Sequence, residues 1–408
     1  MSQGRNRVSV VFVFAVIFFL IHKIIPIIGY NTPAVVNIAV LCFLYSYILL
    51  NGGFKIIINS GVLLMFGVFF LSVLYCKYSN LTLYIYSILQ IVIYPLITIF
   101  IVKKGSFRQI QYITLSVWLA YMITAVTTII GCHYFPEAPR EIAAALSSED
   151  AARYHLYMNM NIGSLTYIYT LVLMLPILVY IIRFKAINRF ISICCLFLFV
   201  TAIYSSQYAT ALLFMFVGIS PFVLHKRFKA NTILSIIILC VILFFFFKDF
   251  IANIFVYFSS TVQSEILADR FQSFADFLLG GQNGSDGDVA ARQYFYKSSF
   301  DAFLKSPIWG SFNVTGGGHS YVLDVMANYG LIGLGALVVM YRKIYTLFYS
   351  TWRRSDIYGY IYMTFIMSIC LAILNPKELF IVHTIIVPLS VQYLYIKMNH
   401  NESLVGRK

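Results

Sequence analysis

The chain has 408 residues, 61% of them hydrophobic and only 11% charged, with a mean hydropathy of +0.84. Soluble domains carry about 25% charged residues, so a soluble globular protein is excluded and an all-α, polytopic membrane protein is expected. The net charge of +14 would suit nucleic acid, but the basic residues sit in short breaks between apolar runs, which excludes that partner.

Arg5 and Arg7 precede an apolar run from Val8 to Leu20. His22, Lys23 and Pro26 follow, not a small-residue cleavage site, so a retained first span is expected. Further apolar runs give twelve expected spans, at 8–28, 34–50, 56–76, 82–102, 110–131, 162–182, 189–204, 207–224, 231–254, 320–341, 358–374 and 379–397. Spans seven and eight are short and meet at Ser205, Ser206 and Gln207, which would put a break inside the membrane. The seven cysteines form no CxxC pair and no Cys/His cluster, and most lie in apolar runs as small hydrophobes.

With both termini in the cytoplasm, the cytoplasmic segments would carry nineteen of the 29 Lys and Arg but only two of the 15 acids, Asp356 and Glu402. That bias sets the expected orientation and accounts for the net charge. Two polar segments then fall on the outer side of one membrane domain spanning 1–408. The first covers 132–161 and holds Arg140, Glu149, Arg153 and His155. The second covers 255–319 and holds Asp269, Arg270, a glycine-rich tip at 280–288, and a helix-like run from Val289 to Lys305 that Pro307 should end. Long loops in a compact protein commonly carry function.

The chain is organised around Pro307–Gly335 in sequence: a glycine-rich run ending in His319 and Ser320, then an apolar helix carrying Gly330, Gly333 and Gly335. At helical spacing His319, Leu323, Met326, Gly330 and Gly333 share a stripe, whose small residues should let a neighbouring helix approach. Arginine grips phosphate bidentately, and histidine takes a proton near neutral pH. Arg153, Arg270 and Arg292 with His319 therefore suit a lipid-linked diphosphate: the arginines hold the leaving group and His319 takes a hydroxyl proton. Arg292 is also spaced to pair with Asp288, and Arg270 with Glu265 or Asp269. Asp324, one turn into the tenth span, is either a functional acid facing the bundle or a helix-start acid favoured by the dipole. The acidic Asp286–Asp288 tip reads as a solvated loop, so no metal is expected.

These residues carry a resemblance. His319-Ser320, nine residues, Gly330, two residues, Gly333 is similar to the pattern His-[Asn/Ser/Gln]-x9-Gly-x2-[Gly/Thr/Tyr] of the O-antigen ligase and O-antigen polymerase family (WaaL/Wzy type). Upstream, Arg292 opens a run closed by Ser306-Pro307-Ile308-Trp309-Gly310, which resembles the family's Asn/Ser-Pro-x-x-Gly turn. The motif covers roughly 292–335; beyond it the likeness is one of hydropathy. The resemblance implies a GT-C-like bundle of about twelve helices in the bacterial inner (cytoplasmic) membrane. It implies metal-independent, inverting glycosyl transfer at the outer face with no cofactor, and undecaprenyl-diphosphate-linked glycans as donor and acceptor. A chain-length regulator is a further partner it implies.

On that reading His319 is the catalytic position and Arg292 the diphosphate contact, with Ser320, Asp324 and Gln207 in support. Gln207 stands where many members carry an arginine in a Ser-Arg pair, so either the register is shifted there or Arg153 or Arg270 supplies that charge. A polysaccharide polymerase is the first expectation, for O-antigen, capsular or exopolysaccharide repeats. A ligase transferring the glycan to lipid A core is the alternative within the class. A transporter or flippase of a lipid-linked sugar is the alternative outside it; it would place charges near mid-membrane, whereas these cluster at one surface.

Overall fold

A computed structural model describes residues 8–60, 81–144, 151–222, 248–262, 265–279, 288–311, 320–353, 355–374 and 381–405. Over these residues the chain is 88% helical with no strand. Among the described residues, four helical stretches are long and apolar enough to cross a membrane: Ala34–Gly53, Phe107–Tyr134, Leu165–Phe184 and Tyr321–Trp352. The protein is an all-α membrane protein. Shorter apolar helices at Val10–Ile24, Arg189–Ser205, Ala209–Phe222 and Tyr358–Leu374 pack among them.

Sequence signals set many of the helix ends. α1 (Val10–Ile24) starts at Ser9, whose side chain accepts from Phe12 N, and stops where Pro26 opens the short α2 (Pro26–Asn31). α3 (Ala34–Ile48) runs into a π turn at Leu49–Gly53, kinked at Asn51 and Gly52, and then α4 (Phe54–Ser60). α5 (Leu81–Lys104) is followed by α6 (Phe107–Tyr134), which opens on a reciprocal Ser106–Gln109 capping box. α7 (Ala138–Ala144) and α8 (Ala151–Asn159) form a small layer against α2 and the next long helix. Most of the described residues in that segment, the expected loop 132–161, are therefore helical.

α9 (Leu165–Phe184) is the central pillar. Every residue from Tyr167 to Ile182 is buried, packed by α10 (Arg189–Ser205), α11 (Ala209–Ile219) and α16 (Tyr358–Leu374). Its apolar surface is continuous around the axis, as a helix surrounded by others requires. Pro176 has no N–H to give Val172, and the neighbouring carbonyl of Leu173 accepts the Thr364 hydroxyl from α16 at 3.1 Å. The break between α10 and α11 falls at Ser206–Tyr208, as expected, with Gln207 in the left-handed region at φ 54°.

The remaining elements build the far end of the chain. α12 (Lys248–Thr261) pairs with α13 (Glu265–Leu278). The helix continues well past residue 254, so the ninth apolar run has no boundary there; residues 231–247 lie outside the described set. α14 (Asp288–Lys305) packs on α15 (Tyr321–Ile344), and α17 (Val387–Val405) follows a π turn at Val382–Ile386.

Candidate active site

α14 ends as the sequence predicts. Lys305 is its last residue, and Ser306–Gly310 forms a tight turn in which Gly310 N donates to Ser306 O at 2.8 Å. What the turn packs against is not legible in the sequence. α15 is interrupted at Gly330, which takes φ 61° and ψ −154°, a backbone conformation open essentially to glycine. In an unbroken helix Leu331 N would donate to Ala327 O and Ile332 N to Asn328 O. Here Leu331 N donates to Pro307 O at 2.8 Å and Ile332 N to Ile308 O at 3.4 Å, while Ser311 N takes Ala327 O at 2.8 Å. The turn replaces the helical bonds that the break removes.

Two glycines make the fit. A Cβ on Gly330 would lie 2.3 Å from Ile308 O, and one on Gly310, itself at φ 77°, would lie 2.3 Å from Asn328 O. Both are backbone collisions that no rotamer relieves. The expected glycine stripe is thus corrected: Gly330 does not admit a neighbouring helix, because the helix bearing it is broken and the Pro307–Gly310 turn fills the space. At Gly335 an added Cβ meets nothing within 4 Å.

Ser320 opens α15 as its N-cap, 1% exposed, its hydroxyl accepting from Leu323 N at 3.2 Å. Asp324 lies in the first turn, where the helix dipole favours an acid. Its Oδ1 accepts the Ser299 hydroxyl of α14 at 2.9 Å. Ser299 is 2% exposed, and nothing in the sequence singled it out except that it lies seven residues after Arg292, in the same helical register. Tyr296, one turn earlier, donates to Leu374 O at the end of α16 at 2.9 Å. The turn, Ser299 and Tyr296 together pin α14 to α15 and α16.

The expected site residues divide accordingly. Ser320 and Asp324 belong to this α14–α15 unit. Arg292 lies on α14, about 10 Å along the axis before Ser299, and Arg270 lies on α13; the side chains of both are outside the described set. His319, the residue before Ser320 in sequence, also lies outside the described residues. So do the expected acidic pair's Asp286 and most of the tip around it.

Arg153 and Gln207 belong to a different corner. Arg153 on α8 is exposed and pairs with Glu141 of α7 at 3.4 Å. The other Glu141 oxygen accepts the Tyr157 hydroxyl at 2.7 Å. Burial first, then the bonded Glu141 carboxylate, pushes the Tyr157 phenol up to about 12. Tyr208, the neighbour of Gln207, donates to Pro139 O at the start of α7 at 2.6 Å. The α10–α11 break is therefore joined to the helical layer that holds Arg153. Tyr30 of α2 hydrogen-bonds the His155 ring and closes that layer on its far side.

The chain matches no protein-family description and no curated protein.

Proposed function

We propose that the protein is a membrane glycosyltransferase that polymerises undecaprenyl-diphosphate-linked repeat units at the outer face of the bacterial cytoplasmic membrane. One observation carries the reading. The residues that resemble the ligase and polymerase pattern are not scattered: the Ser306–Gly310 turn and the Ser320–Gly330 stretch interlock through Leu331 N–Pro307 O and Ser311 N–Ala327 O. The spacing between Ser320 and Gly330 is the length of helix between an N-cap and a break that the upstream turn must meet.

In this reading the unit fixes the first turn of α15 relative to α14, and so the chain positions from which His319 and Arg292 act. Arg292 holds the donor diphosphate, His319 takes the proton from the attacking acceptor hydroxyl, and the diphosphate leaves with inversion at the sugar. Asp324 holds the two helices in register through Ser299. Twelve spans, a GT-C-like bundle and cytoplasmic termini belong to the same proposal. The ligase alternative would use the same unit with lipid A core as acceptor.

The test is a reaction with purified protein, a lipid-diphosphate-linked oligosaccharide repeat, and neither nucleotide nor metal. A ladder of longer lipid-linked glycans is expected. Transfer only when lipid A core is supplied would make the protein a ligase. Inactivity with both acceptors, using the native repeat, would remove the glycosyltransferase reading.

A further inference from the structure

The face of α14 opposite Ser299 is open. Tyr294, Lys297, Asp301 and Lys305 recur there at steps of three and four, with Ser311 beyond the turn, and line an open groove of about 570 Å³. All four side chains on the helix are exposed. Among the described residues Lys297, Asp301 and Lys305 make no ion pair, although each lysine is spaced to pair with Asp301. Among the described residues, Ser311, just after the turn that seats in the α15 break, is the groove's one lining residue outside α14.

We propose that this groove is a track for an acidic oligosaccharide, one bearing carboxylate or phosphate groups on its sugars. The inference rests on the glycan-transfer reading and names the substrate class that the site takes. Three features point to an extended saccharide in preference to a compact diphosphate. Lys297 and Lys305 are eight residues apart, about 12 Å along the helix, so an extended ligand reaches both without the two flexible side chains having to converge. Asp301 lies midway; it repels a polyanion centred on the groove but accepts hydroxyl groups from the sugars between two charged ones. Tyr294 at the outer end of the row offers an exposed ring for a sugar face, with two rotatable bonds and little ordering cost.

Direct binding to the full-length protein in phosphatidylcholine nanodiscs at low ionic strength tests this. The probes are a fluorescent hyaluronan hexasaccharide, its carboxyl-reduced counterpart, and inorganic diphosphate as competitor. The acidic hexasaccharide should bind at least about tenfold tighter than the reduced one, and the difference should shrink with salt. Lys297→Glu and Lys305→Glu should each weaken it roughly fivefold, with Lys297→Gln and Lys305→Gln intermediate, while Lys185→Glu on another element has no effect. Tyr294→Ala should weaken both saccharides alike. Equal binding of acidic and reduced probes, or full binding by the folded charge variants, would overturn the proposal. So would displacement by diphosphate that depends on the same lysines, which would make this a diphosphate site. Because binding is read without turnover, a positive result with no glycan ladder would leave the track standing and remove the polymerase reading. A ladder with no acid preference would do the reverse.

Discussion

The carbonyl oxygen of Ile308 stands 2.3 Å from the point where a Cβ on Gly330 would be built, so the turn and the helix break exist only as a pair. Gly330→Ala must both adopt a glycine-only backbone conformation and displace the turn. Strain of that kind costs about 1–3 kcal/mol before the collision is added. We expect Gly330→Ala and Gly310→Ala each to lower the apparent Tm in detergent by about 5 °C or more. Gly335→Ala, with open space around it, should leave it unchanged. Equal behaviour of the three variants would show that the interlock is not rigid.

Ser299 and Asp324 supply the second tie between the same helices. Removing the hydroxyl in Ser299→Ala leaves a carboxylate short of one hydrogen bond and should cost about 1.5–3 kcal/mol. Asp324→Asn keeps an acceptor at Oδ1 and should cost less than Asp324→Ala. If the tie also sets the position of the α15 start, Ser299→Ala should slow glycan transfer more than its stability loss explains, measured at a temperature where all variants remain folded.

His319→Ala should abolish polymer formation at unchanged protein level in the membrane. Arg292→Ala should be nearly as severe, and Arg292→Lys should retain little activity, because an ammonium cannot reproduce a bidentate grip on a diphosphate. Wild-type polymer from the His319 variant would remove it from catalysis.

The Tyr157 phenol gives a pH-dependent prediction. Its pKa in the folded protein is about 12 against 10.0 unfolded. The protonated form is thus favoured by folding: its contribution is fully present below pH 10 and is lost as pH rises toward 12. Tyr157→Phe should therefore flatten the fall in Tm over that interval, in a comparison of wild type and variant from pH 9 to 12. Glu141→Gln should also lower the Tyr157 pKa, though not to 10, because burial is its largest cause.

Gln207 separates backbone from charge. Its φ of 54° costs an unbranched side chain the same whether it ends in an amide or a guanidinium. On backbone grounds Gln207→Arg should be less destabilised than Gln207→Val, which is branched at Cβ. If the family register holds at this break, Gln207→Arg should preserve or raise transfer. If Arg153 supplies the charge instead, Arg153→Ala should cut transfer far more than Glu141→Gln, which removes only its partner.

Local signals in the sequence told where the key helices stop and start. Pro307 ended α14, Ser320 capped α15, and the serines at 205 and 206 marked the α10–α11 break. The interruption of α15 was hidden because a glycine at helical spacing reads as a small residue in a packing stripe. Its conformation is dictated by a turn about twenty residues earlier, a relationship no local period can encode. Ser299 was hidden for a similar reason: a buried serine within a helix is locally neutral, and only its partner on another helix gives it meaning. The central position of α9 was also invisible, since a continuous apolar run looks the same whether lipid or protein surrounds it.

The clasp between Ser311 N and Ala327 O also has an evolutionary consequence. It ties together, across sixteen positions, the two ends of a stretch whose polar part runs from Phe312 to His319. With those ends fixed by backbone bonds, residues can be added ahead of His319 at a closure cost that grows only slowly with length, provided His319, Ser320 and Asp324 keep their places. On the proposed glycan-transfer reading, that frame can stay constant in a lineage while sequence changes between its ends favour new sugars. On the same reading, selection for a different surface polysaccharide would act on those positions without rebuilding the bundle.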